Sequence, residues 1–120
     1  MRRPPDLFNR SCPSRTIIDL IGSRWSMLIV CALRQGPVRA NELIRRIGGI
    51  SQKMFTHTVR EMERSGLVHR QSYPEVPPRV EYSLTLLGDD LSRLVHQMEE
   101  WVVRNYDQIM DAKQNAQRLR

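Results

Sequence analysis

Gln52, Lys53, Thr56, His57 and Arg60, followed by Arg64, recur at helical intervals. On a helix their polar heads fall along one side, while Phe55, Val59 and Met62 fall on the other. The row contains donors rather than a nucleophile with a base beside it. A Gln amide can bridge the acceptor and donor of adenine, Lys and Arg reach guanine acceptors or phosphate, and Thr offers a hydroxyl and a methyl. Ser51 stands where it would cap such a helix and leave N–H groups and the positive dipole end open to phosphate. Taken alone, the row reads better as a solvated helix face. Its neighbours must decide.

The remaining reactive side chains point to little catalysis. Cys12 lies just ahead of a helix start with Arg10 and Arg15 close in sequence, a setting that lowers a thiol's pKa. Cys31 sits inside a helical stretch and reads as a small apolar residue. Two cysteines cannot complete a four-ligand zinc site. His57, His69 and His96 lie on three separate elements without metal-ligand spacing, so no metal is expected. Gly48-Gly49 lacks the rest of a phosphate loop, and Glu99-Glu100, adjacent on a helix, are expected to face apart. The sequence implies no catalytic residue, no cofactor and no enzyme activity.

The elements that must position the basic row are short and well punctuated. Residues 1–13, with Pro4, Pro5 and Pro13, read as an arm. A helix from Ser14 carries Ile17, Leu20 and Ile21 to Gly22. Ser23 caps a second helix with an expected buried stripe of Trp25, Leu28, Ile29, Ala32 and Leu33, stopped by Gln35-Gly36-Pro37. A third helix, about Ala40 to Ile47, turns Leu43, Ile44 and Ile47 inward and Arg45 and Arg46 outward. Gly48-Gly49 breaks it, and the helix carrying the basic row runs on to Ser65. Two short helices joined by a glycine turn form a helix-turn-helix pattern. LVHRQSY and RVEYSL then flank PEVPP as two strands around a stiff corner, since Pro77 and Pro78 cannot donate ladder bonds. This is a wing, with Arg70, Tyr73 and Arg79 on it.

Thr85 caps a final helix, expected over about 85–112, with a basic tail over 113–120. Leu87, Leu91, Leu94, Met98 and Trp101 alternate spacings of four and three, and Val95 and Val102 widen the stripe. A 3.5-residue repeat keeps one seam toward a partner helix. No helix of equal length is expected elsewhere in 120 residues, so the natural partner is the same helix in a second copy, the alternative being that the stripe packs on its own domain.

Charge supports a two-sided molecule. Residues 1–38 hold six Arg against two Asp, residues 39–80 eight Lys or Arg against four Glu, and residues 81–112 two Arg against seven acids. A basic front and an acidic back fit one face meeting a polyanion. The N-terminus has no apolar run behind its arginines, and no run reaches the length of a membrane span, so the expected compartment is the cytoplasm. The expected fold is therefore mainly α with a small β-hairpin wing, a winged helix-turn-helix over 14–112 that dimerises through its terminal helices.

From Cys12 to about Asn105 the chain resembles the HxlR-type family of bacterial winged helix-turn-helix transcription regulators, which are MarR-like. The matching stretches are Cys12-Pro13, I-G-S-R-W (21–25), N-E-L (41–43), G-I-S-Q-K (49–53) and Y-P-E-V-P-P-R-V-E-Y-S-L-T (73–85). The resemblance implies a homodimer on a pseudo-palindromic duplex-DNA operator. Recognition-helix contacts would come from Ser51, Gln52, Lys53, Thr56, His57 and Arg60, the last five mainly to bases, and backbone and wing contacts from Arg45, Arg46, Arg70, Tyr73 and Arg79. The dimer interface would be Leu87, Leu91, Leu94, Met98, Trp101 and Val102. It also implies thiol-based sensing of a small electrophile or oxidant at Cys12. Ala40, Phe55, His57 and Thr58 depart from the family pattern, the last three on or beside the expected reading face. The alternative is a winged-helix protein-interaction module whose seam binds another protein and whose basic face is incidental. Double-stranded RNA fits less well, because an A-form major groove excludes a helix.

Overall fold

Ser23, Ser51 and Thr85 each place a side-chain oxygen before a backbone N–H three residues on, and each begins a helix. They accept from Ser26 N at 3.1 Å, Met54 N at 3.0 Å and Gly88 N at 3.0 Å. These bonds satisfy donors that a helix start otherwise leaves orphaned. The computed structural model describes residue 2 and residues 4–119. Its elements are α1 (Pro13–Ile21), α2 (Arg24–Leu33), β1 (Val38–Arg39), α3 (Ala40–Arg46), α4 (Gln52–Arg64), β2 (Val68–Tyr73), β3 (Arg79–Leu84) and α5 (Leu86–Arg118). The strands form an antiparallel sheet in the order β1-β3-β2, with Val38 opposite Tyr82 and the hairpin in register from Val68–Leu84 to Tyr73–Arg79. This is the expected mainly helical fold with a β-hairpin wing.

Four local expectations change. β1 was not anticipated, because two residues are too few to show a period of two. α1 begins at Pro13, whose missing N–H suits a first helical position, so Cys12 becomes its N-cap residue. The buried side of α2 is Ser26, Ile29, Val30 and Leu33, while Leu28 is 40% exposed. Half-buried Trp25 packs against the core and reaches the α3–α4 turn, where its Cη2 lies 3.9 Å from the place a Gly49 Cβ would occupy. Ile29 and Leu33 lie on the buried side as expected, with Ser26 and Val30 beside them. Finally, α5 continues through the residues expected as a separate tail, up to Arg118. Lys113 to Arg118 contain no Gly or Pro to stop it.

Ile29, Val30, Leu33, Leu43, Phe55, Val59 and Met62 are at most 2% exposed and make the centre of the core. Phe55 meets Tyr82 edge-on, with ring centroids 5.9 Å apart and planes at 78°, joining α4 to β3. α5 is fixed to the turn after α4: Thr85 N donates to the Leu67 carbonyl at 3.1 Å, and buried Gly88 lies directly over that group. A Cβ on Gly88 would stand 2.0 Å from the Leu67 oxygen, so only glycine fits. Past Val95 no described residue of α5 is buried, and the helix, about 50 Å long at 1.5 Å per residue, projects from the body. The described residues measure 59 × 41 × 25 Å, and no single helix among them is long and apolar enough to cross a membrane.

Candidate nucleic-acid interface

α3 packs through Leu43 and Ile47, the chain turns at Gly49 with φ +89°, and α4 starts at Gln52 under the Ser51 cap. That positive φ is the reason glycine occupies the turn. On the outer side of α4, Gln52, Lys53, Thr56, His57 and Arg60 line one shallow groove of about 560 Å³ with Glu61 and Arg64. Thr56 is half-buried and the other four of the row are exposed. Among the described residues, none of these five side chains is engaged in an ion pair or hydrogen bond. Arg64, one turn further on, is bound to Glu61. The inner side holds Phe55, Thr58, Val59 and Met62. Phe55, as its place in the apolar stripe implies, and Thr58 belong to the core. Of the three departures from the family pattern on α4, His57 alone lies on the outer row.

The cations expected to meet the DNA backbone are arranged differently, because each already has a partner. Arg45 and Arg46 both bind Glu42, the latter at 3.1 Å. The Arg46 hydrogen bond first, and then the Arg45 charge, hold the Glu42 carboxyl below its usual range. Arg70 donates to Ser72 Oγ at 2.8 Å. Arg79 lies over the Tyr73 ring, 3.9 Å from its centroid, and pairs with Glu75 at 3.2 Å and Glu81 at 3.3 Å. The expected wing-tip cation is thus folded back across the hairpin, and fully exposed Val76 occupies the corner instead. Both partners of Arg79 are carboxylates within reach of its own strand, a competition the sequence pattern did not reveal.

The cysteines also differ. Cys12 Sγ accepts from Ser14 Oγ at 3.1 Å and from Asp6 N at 3.3 Å. These bonds, the Ser14 hydroxyl foremost, lower its pKa. Arg10 and Arg15, the expected cause, are not the source of the shift. A cleft of about 600 Å³ lined by Pro4, Pro5, Asn9, Pro13 and Ile17 opens at the thiol. Cys31 instead donates to Glu99 Oε1 at 2.6 Å, and burial first, then Glu99, pushes its pKa up to about 11. Arg34 binds Glu99 at 3.1 Å and the Ser92 carbonyl at 3.3 Å, so this cluster joins α2 to α5. Sequence separation hides it. His96 also corrects one expectation: its Nε2 lies 2.7 Å from Glu100 and its Nδ1 3.7 Å from Glu99, so one ring reaches both adjacent acids.

The expected dimer seam is apolar and uncovered in one copy. Leu87, Leu94, Met98, Trp101 and Val102 are each about half exposed, between 49% and 56%. Leu91 is half-buried in an apolar cleft of about 440 Å³ with Ile17, Leu20, Ile21 and Leu67. Val95, expected to widen the stripe, is buried in the body instead.

A helix-turn-helix followed by a β-hairpin wing defines the winged-helix class of transcription regulators. The family model for HxlR-like helix-turn-helix proteins matches residues 20–110. The chain is 42% identical over 105 residues to the HTH-type transcriptional regulator YtfH of Escherichia coli (strain K12), covering 88% of this chain and 83% of that relative. It superposes on the ytfH protein from Salmonella typhimurium with a TM-score of 0.86 and 42% identity, covering 98% of this chain and all of that one. The redox regulator HypR in its reduced form gives a TM-score of 0.75 and 40% identity, covering 82% of this chain and 98% of that one. The chain belongs to the HxlR-like helix-turn-helix family of transcription regulators.

Proposed function

We propose that the chain works as a homodimer on an inverted-repeat DNA operator, with α4 of each copy in the major groove. The free donor row on α4 carries this reading. Gln52, Lys53, Thr56, His57 and Arg60 have no partner among the described residues, and their types match base edges and phosphates. Ser51 leaves the start of α4 to a phosphate. Arg45, Arg46 and Arg70 add backbone contacts by exchanging their internal partners for phosphates, and Tyr73 with Arg79 stiffens the wing beside the groove. The protein acts by binding and catalyses no reaction.

The seam from Leu87 to Val102 closes on the same helix of a second copy. Half-exposed Trp101, Leu94 and Met98 represent a large apolar area that a single copy leaves in water. Two recognition helices related by that two-fold would meet half-sites about one helical turn apart.

Cys12 is the effector site. Its lowered pKa and the cleft beside it suit addition of the thiolate to the C=C bond of a small electrophile such as a quinone, the S–C bond forming as the π bond opens and takes up a proton. They also suit coupling to a second thiol such as Cys12 of another copy, with a two-electron oxidant such as diamide taking up the two electrons and two protons. Either adduct would displace the arm and α1, which packs beside the seam. The likeness to HypR, a redox regulator, supports this reading.

The test is selection of genomic DNA fragments by reduced protein at two salt concentrations, before and after diamide. An inverted repeat retained at the higher salt and lost after diamide is the expected result. Retention without sequence preference that vanishes with salt would overturn the operator reading. A repeat indifferent to diamide would remove Cys12 from it.

A further inference from the structure

The I-G-S-R-W stretch contains a cation that the recognition helix and wing do not account for. Arg24 is the first residue of α2 and is exposed. Its guanidinium lies over the Trp25 ring, 4.6 Å from the centroid. Among the described residues no carboxylate pairs with it, unlike Arg45, Arg46, Arg64 and Arg79. Trp25 is half-buried, and the far edge of its indole rests on the Gly49 turn, immediately ahead of α4. The same indole shares a cleft with Met54, His57 and Thr58 of α4. One aromatic ring therefore links Arg24 to the helix that carries the donor row.

We propose that Arg24, held on Trp25, is a DNA-backbone anchor that grips a phosphate beside the segment met by α4. This rests on the reading of α4 as the DNA-binding helix and adds a contact from a different element. Stacking uses the face of the guanidinium and leaves its in-plane N–H donors free for a phosphate. A carboxylate partner would have consumed those donors and cancelled the charge. The indole also restricts the long side chain before DNA arrives, so less freedom is lost on contact. Lysine could supply the charge without the stack.

The test measures binding of the full chain to a labelled mixed-sequence duplex of about 30 base pairs, three helical turns, and to operator fragments recovered from genomic DNA. Affinities are taken across a salt series for wild type, Arg24→Ala, Arg24→Gln and Arg24→Lys, with Lys53→Ala as reference. Arg24→Ala and Arg24→Gln should weaken both duplexes by the same factor. Each should also make the slope of log K against log salt shallower by about 0.9, the loss of one phosphate contact. Arg24→Lys should keep the wild-type slope at reduced affinity. Two neutral variants with wild-type affinity and slope, alongside a weakened Lys53→Ala, would overturn the Arg24 anchor and leave α4 in place. If Lys53→Ala were also indistinguishable from wild type, the reading of α4 would fail with it.

Discussion

α4 and the wing both carry cations, yet hold them in opposite ways. On α4, Lys53 and Arg60 have no partner among the described residues, while on the hairpin Arg79 is stacked on Tyr73 and paired with two glutamates. α3 resembles the wing, with Arg45 and Arg46 both committed to Glu42. A free cation meets DNA at no internal cost, whereas a paired one must first give up its partner. Net charge does not separate α4 from α3, each of which has one more Lys or Arg than Glu. Pairing does.

The sharpest way to break this contrast is to remove the free cations. Arg60→Ala and Lys53→Ala should each weaken operator binding about 10- to 100-fold, the range for losing one good base contact. Arg45→Ala should cost only a fewfold in the same titration. If Arg45→Ala proves as damaging as Arg60→Ala, internal pairing does not grade the cations.

The contrast can also be sharpened from the acidic side. Glu42→Gln should release Arg45 and Arg46 and raise affinity for unrelated duplex several-fold, because no carboxylate then competes with the phosphates. An unchanged affinity in a fluorescence titration would mean that the two arginines never reach DNA. On the wing, Arg79→Ala should act through order rather than charge. Faster amide exchange at Gln71 and Glu81 should accompany a loss of affinity smaller than that of Lys53→Ala.

Much of this arrangement was legible in the sequence, and the misses come from contacts between distant residues or from local signals that are too short or missing. The capping residues Ser23, Ser51 and Thr85, the glycine turn and the Phe55–Val59–Met62 stripe gave α2, α4 and α5 their starts and α4 its buried side, because those signals are local. On α2, Ile29 and Leu33 were legible as core, but the burial of Ser26 and Val30 and the exposure of Leu28 were not, since they depend on which elements pack around the helix. β1 was too short for a period, and the end of α5 lacked a stop signal. For the candidate interface, residue types and helical spacing placed the α4 row together. They could not reveal that Arg79 folds onto Tyr73, or that Cys31 and Glu99 meet. Those contacts are set by the hairpin register and by the docking of α5 on α2.

The two thiols give a smaller contrast of the same kind. Alkylation by iodoacetamide should reach half its limiting rate at Cys12 below the ordinary thiol pKa, because hydrogen bonds from Ser14 and Asp6 favour the thiolate. Cys31, read in a Cys12→Ser chain, should stay slow until the pH approaches about 11. Equal pH profiles would show that the Ser14 and Asp6 contacts do not tune the thiol. Glu99→Gln should lower stability by no more than about 1 kcal/mol, since the Arg34–Glu99 pair is partly exposed. Glu99 has a depressed pKa in the folded state, with the Arg34 bond as first cause. Its contribution is present above the unfolded carboxyl pKa and is lost as pH falls through the folded one. The gap between wild type and variant in urea melts should therefore close in acid.

The central claim is that α4 reads bases. The most direct measurement pairs side-chain and base changes: wild type, Lys53→Ala, His57→Ala and Arg60→Ala are each titrated against the recovered operator and its single-base-pair variants. The account predicts that each substitution removes discrimination at one or two symmetry-related positions and leaves it intact elsewhere. Affinities lowered evenly across every duplex, or not lowered at all, would contradict it.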